Sequence, residues 1–219
     1  MLVFPAYDGT LHDMLQRGEI RTPVMLKMIG QLLRALRILT THHVLHRDIK
    51  PRNILVRDNE PLVVCLSDFG SGVFLAEELA NGALKSGVCT RGYEAPEMLW
   101  HRPYGHPSDV WSLGVVMIEA AIGRHPFGYD ATTRQGVLRR IYDICIQPGA
   151  PGAAQADKED FATSHPSRQF RERQCPTCLT AISLRNTPLT PILASMLKVH
   201  AGSRASCGGL LETHASFLY

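Results

Sequence analysis

Long uninterrupted apolar runs are missing from this sequence. The nearest, Val110 to Ile122, is broken by Glu119 and falls short of the roughly 20 residues that a membrane-spanning helix needs. The opening Met1-Leu2-Val3-Phe4 is apolar, but Pro5 and Asp8 end it too soon for a signal peptide. Charge of one sign is also scarce. Lys and Arg total 23 against 20 Asp and Glu, a formal net charge of +3, which is too little to argue for a nucleic-acid partner, and no basic run stands out. Cysteines are few and scattered, and only Cys175 and Cys178 stand close together. A zinc site needs about four ligands, so this pair reads as two thiols in a polar loop and the others as reduced thiols. Finally, there is no G-x-G-x-x-G in the context of a strand-to-helix turn. These absences set an expectation of an intracellular protein, cytoplasmic or nuclear, with no membrane segment and no nucleic-acid partner. What is present, 219 residues at 45% hydrophobic and 20% charged, is enough for one domain with a sizeable core.

Element signals run along the whole chain. Leu2-Val3-Phe4 reads as the end of a strand, and Tyr7-Asp8-Gly9 as a turn. Thr10 is an N-cap candidate for a short helix, Leu11 to Gln16, closed by Gly18. Thr22 as N-cap and Pro23 in the first turn open a long helix, in which Met25, Ile29, Leu32, Leu33, Leu36 and Leu39 keep helical spacing to about Thr41. Ile54-Leu55-Val56 and Leu62 to Leu66 read as strands joined by a turn over 57–61. Ser108 is placed to cap an apolar helix from Asp109 to about Ile122, with Gly123 ending it. Amphipathic spacing covers Gln135 to Cys145, and further helices are expected from Thr190 to His200 and from Cys207 to Leu218. The Gly-, Ala- and Pro-rich stretch 148–174 is expected to be a mobile insertion.

The chemistry is concentrated in His46-Arg47-Asp48-Ile49-Lys50-Pro51-Arg52-Asn53 and in Asp68-Phe69-Gly70, which follows the next apolar run. An Asp, a Lys and an Asn at these offsets, with a second Asp beyond, supply a proton acceptor, a cation and oxygen ligands. Those are the requirements of Mg²⁺-assisted phosphoryl transfer. Ala95-Pro96-Glu97, Ser108-Asp109-Val110-Trp111-Ser112-Leu113-Gly114 and a late Arg204 follow in order. Together these pieces resemble the eukaryotic protein kinases. Lys50-Pro51 is similar to the serine/threonine type. Thr90-Arg91-Gly92-Tyr93-Glu94-Ala95-Pro96-Glu97 and Leu138-Arg139-Arg140-Ile141-Tyr142 resemble the group related to cyclin-dependent and MAP kinases. Gly92 and Glu94 depart from that group's usual Trp and Arg, and Glu94 reverses a charge near where substrate peptides bind.

The resemblance implies a mainly α (α+β) fold, the large C-terminal lobe of a kinase with small β-hairpins. It covers nearly the whole chain, residues 1–219, from the hinge onward. It implies ATP and Mg²⁺ as cofactors, transfer of the γ-phosphate to Ser/Thr hydroxyls of protein substrates, and room for a regulatory protein partner. Asp48 is implied as catalytic base or orienting group, and Lys50 as the cation on the γ-phosphate. Asn53 and Asp68 are implied as Mg²⁺ ligands. Phe4, Pro5 and Tyr7 would lie at the hinge beside the adenine, and Leu55 under the ring. His46 is implied to stack on Phe69, Thr90 to contact Asp48 and Lys50, Asp109 to hold the backbone of the His46–Asp48 segment, and Glu97 to pair with Arg204. Ser86 is the phosphorylation candidate, and Arg47 points to an activation loop ordered by a phosphate. Arg52 carries no assigned role. The family's Gly-rich loop, strand Lys and helix Glu lie ahead of the hinge, and no counterpart occurs in this chain. The expectation is therefore that the N-terminal lobe is missing and that this chain alone binds Mg-ATP weakly. The alternative is a kinase-like lobe acting as a protein-interaction module.

Overall fold

The computed structural model describes residues 5–18, 20–57, 61–76, 89–128, 133–141 and 187–218. Strand β1, Gly9–Thr10, runs directly into helix α1, Leu11–Gln16. A reciprocal cap makes the junction. Asp13 N–H donates to Thr10 Oγ1 at 3.3 Å, while Asp13 Oδ2 accepts the Thr10 N–H at 2.8 Å and its hydroxyl at 2.7 Å.

Helix α2, Thr22–Thr41, begins one residue earlier than the sequence suggests. Arg21 is the N-cap and makes no side-chain cap bond, so Thr22 is already helical and Pro23 sits in the first turn. The missing proline N–H costs nothing there, because first-turn donors have no intrahelical acceptor. Met25, Met28, Ile29, Leu32, Leu33 and Leu36 are buried along one stripe. The helix ends where the Thr40 and Thr41 hydroxyls donate back to the carbonyls of Leu36 and Arg37 at 2.9 and 3.0 Å and His43 turns left-handed at φ 54°.

Two small antiparallel sheets follow. Strand β2 is Val44–Leu45, β3 is Ile54–Arg57, β4 is Val63–Leu66 and β5 is Val73–Phe74. The three-stranded sheet has the order β1-β3-β4, with Thr10 opposite Leu55, Leu55 opposite Cys65 and Ile54 opposite Leu66. Alternation sends Ile54, Val56, Val64 and Leu66 into the core and leaves Leu55 and Cys65 half-buried on the other face. The β4 edge is closed by α2: Gln31 Oε1 accepts the Val64 N–H at 3.0 Å and Gln31 Nε2 donates to Leu62 O at 2.9 Å. The second sheet pairs β2 with β5, Val44 opposite Phe74.

The remaining helices are α3 (Pro96–Leu99), α4 (His106–Ile122), α5 (Arg134–Ile141), α6 (Leu189–Met196), α7 (Cys207–Thr213) and α8 (Ala215–Leu218). Every residue of α4 from Ser108 to Ala121 is buried, so this helix runs through the centre of the domain. Gly123 closes it in the left-handed region at φ 73°. Its start differs from expectation. Gly105 is the N-cap and Pro107 lies in the first turn, while the Ser108 hydroxyl donates to Glu97 Oε1 at 2.9 Å. Helix α6 ends at Met196, well before His200, and beyond its end the Arg204 guanidinium takes the carbonyls of Lys198 and Val199 at 3.0 and 3.3 Å. The expected terminal helix is split at His214, its α8 half lying across α2. A Cβ on Gly30 would meet Leu218 O at 2.5 Å, a separation that atoms do not tolerate, so only glycine permits this crossing.

Phe4, Ser86, the 148–174 stretch, Cys175 and Cys178 lie outside the described residues, as do the tip of the 57–61 turn and the end of the helix expected to reach Cys145. No helix among the described residues is long and apolar enough to cross a membrane.

Candidate active site

The segment between β2 and β3 is fixed from below before it does anything above. The Asp109 carboxylate, on the first turn of α4, accepts the N–H groups of His46 at 2.9 Å and Arg47 at 3.0 Å. Burial pushes the Asp109 carboxyl above the usual range, and these two backbone donors act against that shift. The tether holds Arg47 in the left-handed region, φ 65°, a conformation that costs a non-glycine residue of order 1 kcal/mol. Arg47 Nε donates to Ser71 O at 2.6 Å and Nη1 reaches the Tyr104 hydroxyl at 3.4 Å. His46 packs against Phe69 with ring centroids 4.7 Å apart and the planes tilted by 51°, not stacked in parallel. Its Nδ1 accepts the Asp48 N–H at 3.3 Å and its Nε2 lies 3.0 Å from Ser67 O. The tautomer carrying its proton on Nε2 satisfies both contacts.

Above this base the Asp48 carboxylate gathers four donors. Oδ2 receives Lys50 Nζ at 2.7 Å and Asn53 Nδ2 at 3.0 Å. Oδ1 receives the Thr90 hydroxyl at 2.6 Å and the Thr90 N–H at 3.1 Å. Lys50 Nζ also donates to Thr90 Oγ1 at 2.8 Å. Burial on its own raises this carboxyl, but the bonds from Lys50 and Thr90 outweigh it and hold Asp48 below the usual carboxylate range. Asn53 spends its amide nitrogen on Asp48, on both the carboxylate and the backbone carbonyl, the latter at 2.8 Å. Its oxygen, the only side-chain atom able to ligate a cation, is not used in those bonds.

Asp68 arrives beside Asn53 through the β3–β4 ladder. Ile54 faces Leu66, and the next residue out, Ser67, donates its N–H and hydroxyl to Asn53 O at 2.9 and 3.1 Å. Asp68 itself is left-handed, φ 61°, and accepts the Gly70 N–H at 3.3 Å. Two strained non-glycine residues, Arg47 and Asp68, therefore flank the same cluster. Among the described residues no group of three or more His, Cys, Asp and Glu side chains could hold a metal ion. Asn53 and Asp68 instead offer two hard oxygens, a donor set that suits Mg²⁺, which keeps waters and phosphate oxygens as its other ligands.

Of the residues read as nucleotide contacts, Leu55 lies on the half-buried face of the sheet opposite Cys65. Tyr7 joins them: a side-chain hydrogen bond with Cys65, with burial second, raises the Tyr7 hydroxyl above its usual value. Pro5 is exposed. The sequence reading did not single out Cys65, Tyr104 or Arg52. Tyr104 and Cys65 carry no motif, and each finds its partner far along the chain.

Below the site, Glu97 and Arg204 form a bidentate pair, Nη1–Oε1 at 2.8 Å and Nη2–Oε2 at 3.1 Å. Arg204 also donates to Pro107 O at 2.7 Å and lies 5.1 Å from the centroid of the Trp111 ring. Glu94 is buried, its Oε2 has no hydrogen-bond partner among the described residues, and burial raises its carboxyl, with Arg91 and Arg134 acting against that.

A carboxylate held by a lysine two residues on, an asparagine five residues on and a left-handed aspartate across a hairpin is the arrangement of a protein-kinase catalytic loop with its metal-binding segment. The sequence profile described as "Protein kinase domain" matches residues 1–215. A mitogen-activated protein kinase kinase 1c of Physcomitrium patens is 36% identical over 152 residues, 68% of this chain and 43% of that protein. A mitogen-activated protein kinase 15 of Xenopus laevis is 31% identical over 216 residues, 96% of this chain and 36% of that protein. A mitogen-activated protein kinase kinase of Pyricularia oryzae is 41% identical over 147 residues, 64% of this chain and 34% of that protein. The chain belongs to the protein kinase family, on its eukaryotic serine/threonine side. It spans less than half the length of these curated relatives.

Proposed function

We propose that this chain carries the catalytic loop of a protein serine/threonine kinase and transfers the γ-phosphate of ATP to Ser or Thr hydroxyls of protein substrates. The observation that carries the reading is the Asp48 carboxylate, ionised and held by Lys50, Asn53 and Thr90. An entering substrate hydroxyl replaces one of these donors, and the Thr90 hydroxyl at 2.6 Å shows that Oδ1 takes an alcohol. A carboxylate held below its usual range is a weak base. Asp48 therefore orients the hydroxyl and takes its proton late, as a largely dissociative transfer requires. Lys50, within reach of the same carboxylate, offsets charge on the phosphoryl group as it moves. Asn53 and Asp68 hold Mg²⁺, which when bound neutralises and orients the phosphates. Leu55, beside Tyr7 and Cys65, offers an apolar platform for the adenine ring, and by resemblance Pro5 belongs to the hinge beside it, as does Phe4, which lies outside the described residues. His46, Arg47 and Asp109 position the loop and touch no substrate. We place the protein inside the cell, cytoplasmic or nuclear, with protein substrates and a regulatory protein as its partners.

The test is transfer of radiolabelled phosphate from ATP to a mixed protein substrate by the purified chain, with Asp68→Ala as control. Incorporation that disappears in the control supports the reading. Absence of incorporation in both, with folding intact, leaves a truncated enzyme or an interaction module.

A further inference from the structure

A cavity of about 400 Å³ opens beside the Asp48 cluster, lined by His12, Gln16, Lys50, Arg52, Thr90 and Tyr93 together with Pro51. That volume falls in the range of sites that accept a ligand group. One wall is shared with the reacting end of the molecule, since Lys50 and Thr90 both touch Asp48. The lining also includes the pair Arg52 and His12, with Arg52 Nη2 3.0 Å from His12 Nε2. Arginine can only donate, so His12 accepts through Nε2 and is neutral in this contact. The lining is unequal in charge. Lys50 and Arg52 are cations, and among the described residues no Asp or Glu lines the cavity. Lys50 has its carboxylate in Asp48. Among the described residues Arg52 is hydrogen-bonded only to an imidazole. Asp13, on which the Arg52 charge acts, commits Oδ2 to the Thr10 N–H and hydroxyl. Those bonds hold its carboxyl low, with the Arg52 charge adding to the effect. An exposed guanidinium at this cavity, with no carboxylate bonded to it among the described residues, is a fork for a carboxylate or phosphate.

Resting on the kinase reading above, we propose that this cavity is a specificity subsite for an anionic side chain, Asp, Glu or a phosphorylated residue, carried by the substrate peptide near its acceptor Ser or Thr. Arg52 binds the anion, His12 holds the guanidinium, and Gln16, one helical turn further along α1, completes the lining. The chain thereby prefers acidic or already phosphorylated sequences and disfavours basic ones.

The experiment is fluorescence anisotropy of the whole chain with labelled peptides that share one acceptor Ser and carry Glu, phosphoserine, Ala or Arg at the flanking positions. Binding is read without turnover, so failure of transfer and failure of this inference are separable. The expected order is phosphoserine, then Glu, then Ala, then Arg, with Glu over Ala by about fivefold and phosphoserine over Ala by about tenfold or more. The preference should weaken as salt rises. Arg52→Glu should invert it, so that the Arg peptide binds best, which loss of folding cannot imitate. Equal binding of Glu and Ala peptides overturns the proposal, as does no measurable binding of any peptide, or an unchanged order in Arg52→Glu. Inorganic phosphate that competes as well as the phosphopeptide overturns the peptide subsite and leaves a site for free phosphate.

Discussion

Asp48 and Asp109 are both aspartates, both buried, and both hydrogen-bonded to or within the same short segment, yet their environments oppose each other. Asp48 receives a lysine ammonium, a carboxamide and a hydroxyl, and its carboxyl is held low despite burial. Asp109 receives backbone N–H groups and its carboxyl is pushed up by burial. The first is built to stay charged where a substrate arrives. The second gives up part of its hydration to anchor the peptide units that aim the first. A loop that must present one side chain accurately has another acid beneath it, bonded to the main chain and indifferent to chemistry.

The largest expected separation between the two is in turnover. Asp48→Asn should lower phosphate transfer by roughly 10²–10⁴-fold while a thermal melt shows the chain still folded; unchanged turnover would remove Asp48 from its role. Asp109→Ala should do its damage in stability. Two buried N–H groups lose their acceptor, at a cost of about 2–4 kcal/mol in a denaturant titration. A variant as stable as the parent would show that the anchor is dispensable. A change remote from both carboxylates sets the scale. Gly30→Ala forces a methyl into Leu218 O and should cost about 1–3 kcal/mol, without altering the pH dependence of transfer.

The smallest effect is in pH. Burial depresses His106, His125 and His214 below the ordinary histidine value of 6.5. A depressed group binds its proton more readily unfolded, so its stabilisation is complete above that value and is lost as pH falls. The melting temperature should therefore decline from about pH 7.5 to about pH 5.5. For the two aspartates the signs differ. Stability from Asp48 is lost as pH drops below the ordinary carboxylate value of 3.8. The raised Asp109 carboxyl takes up its proton more readily when folded, so its contribution is largest in acid and falls as pH rises through its folded value. Melting curves of Asp48→Asn that keep the full acid limb of the parent would contradict this division.

Much of this was legible because it is local or carried by a recurrent motif. The Thr10 cap, the 22–41 helix and the strand alternation of Ile54 and Val56 follow from spacing and cap chemistry within a few residues. His46 on Phe69, Thr90 on Asp48 and Lys50, Asp109 under the loop and Glu97 on Arg204 were expected from resemblance, and the contacts are present. What spacing could not show was competition for a group from far along the chain. Ser108 looks like a cap until Glu97 claims its hydroxyl. The helix after Thr190 looks longer than it is, because the residues beyond Met196 leave the helix and lend the carbonyls of Lys198 and Val199 to Arg204. Arg52 looks idle until His12, forty residues earlier, is folded against it.

The carboxamide of Gln31 presents one donor and one acceptor to β4 in the manner of a peptide unit. A helix thus supplies a counterfeit fourth strand, one residue long, at the open side of the sheet. Its consequence is colloidal rather than catalytic. At that point β4 has no unmet backbone groups to recruit a neighbouring molecule, which guards a β-branched segment, Val63-Val64, against edge-to-edge aggregation.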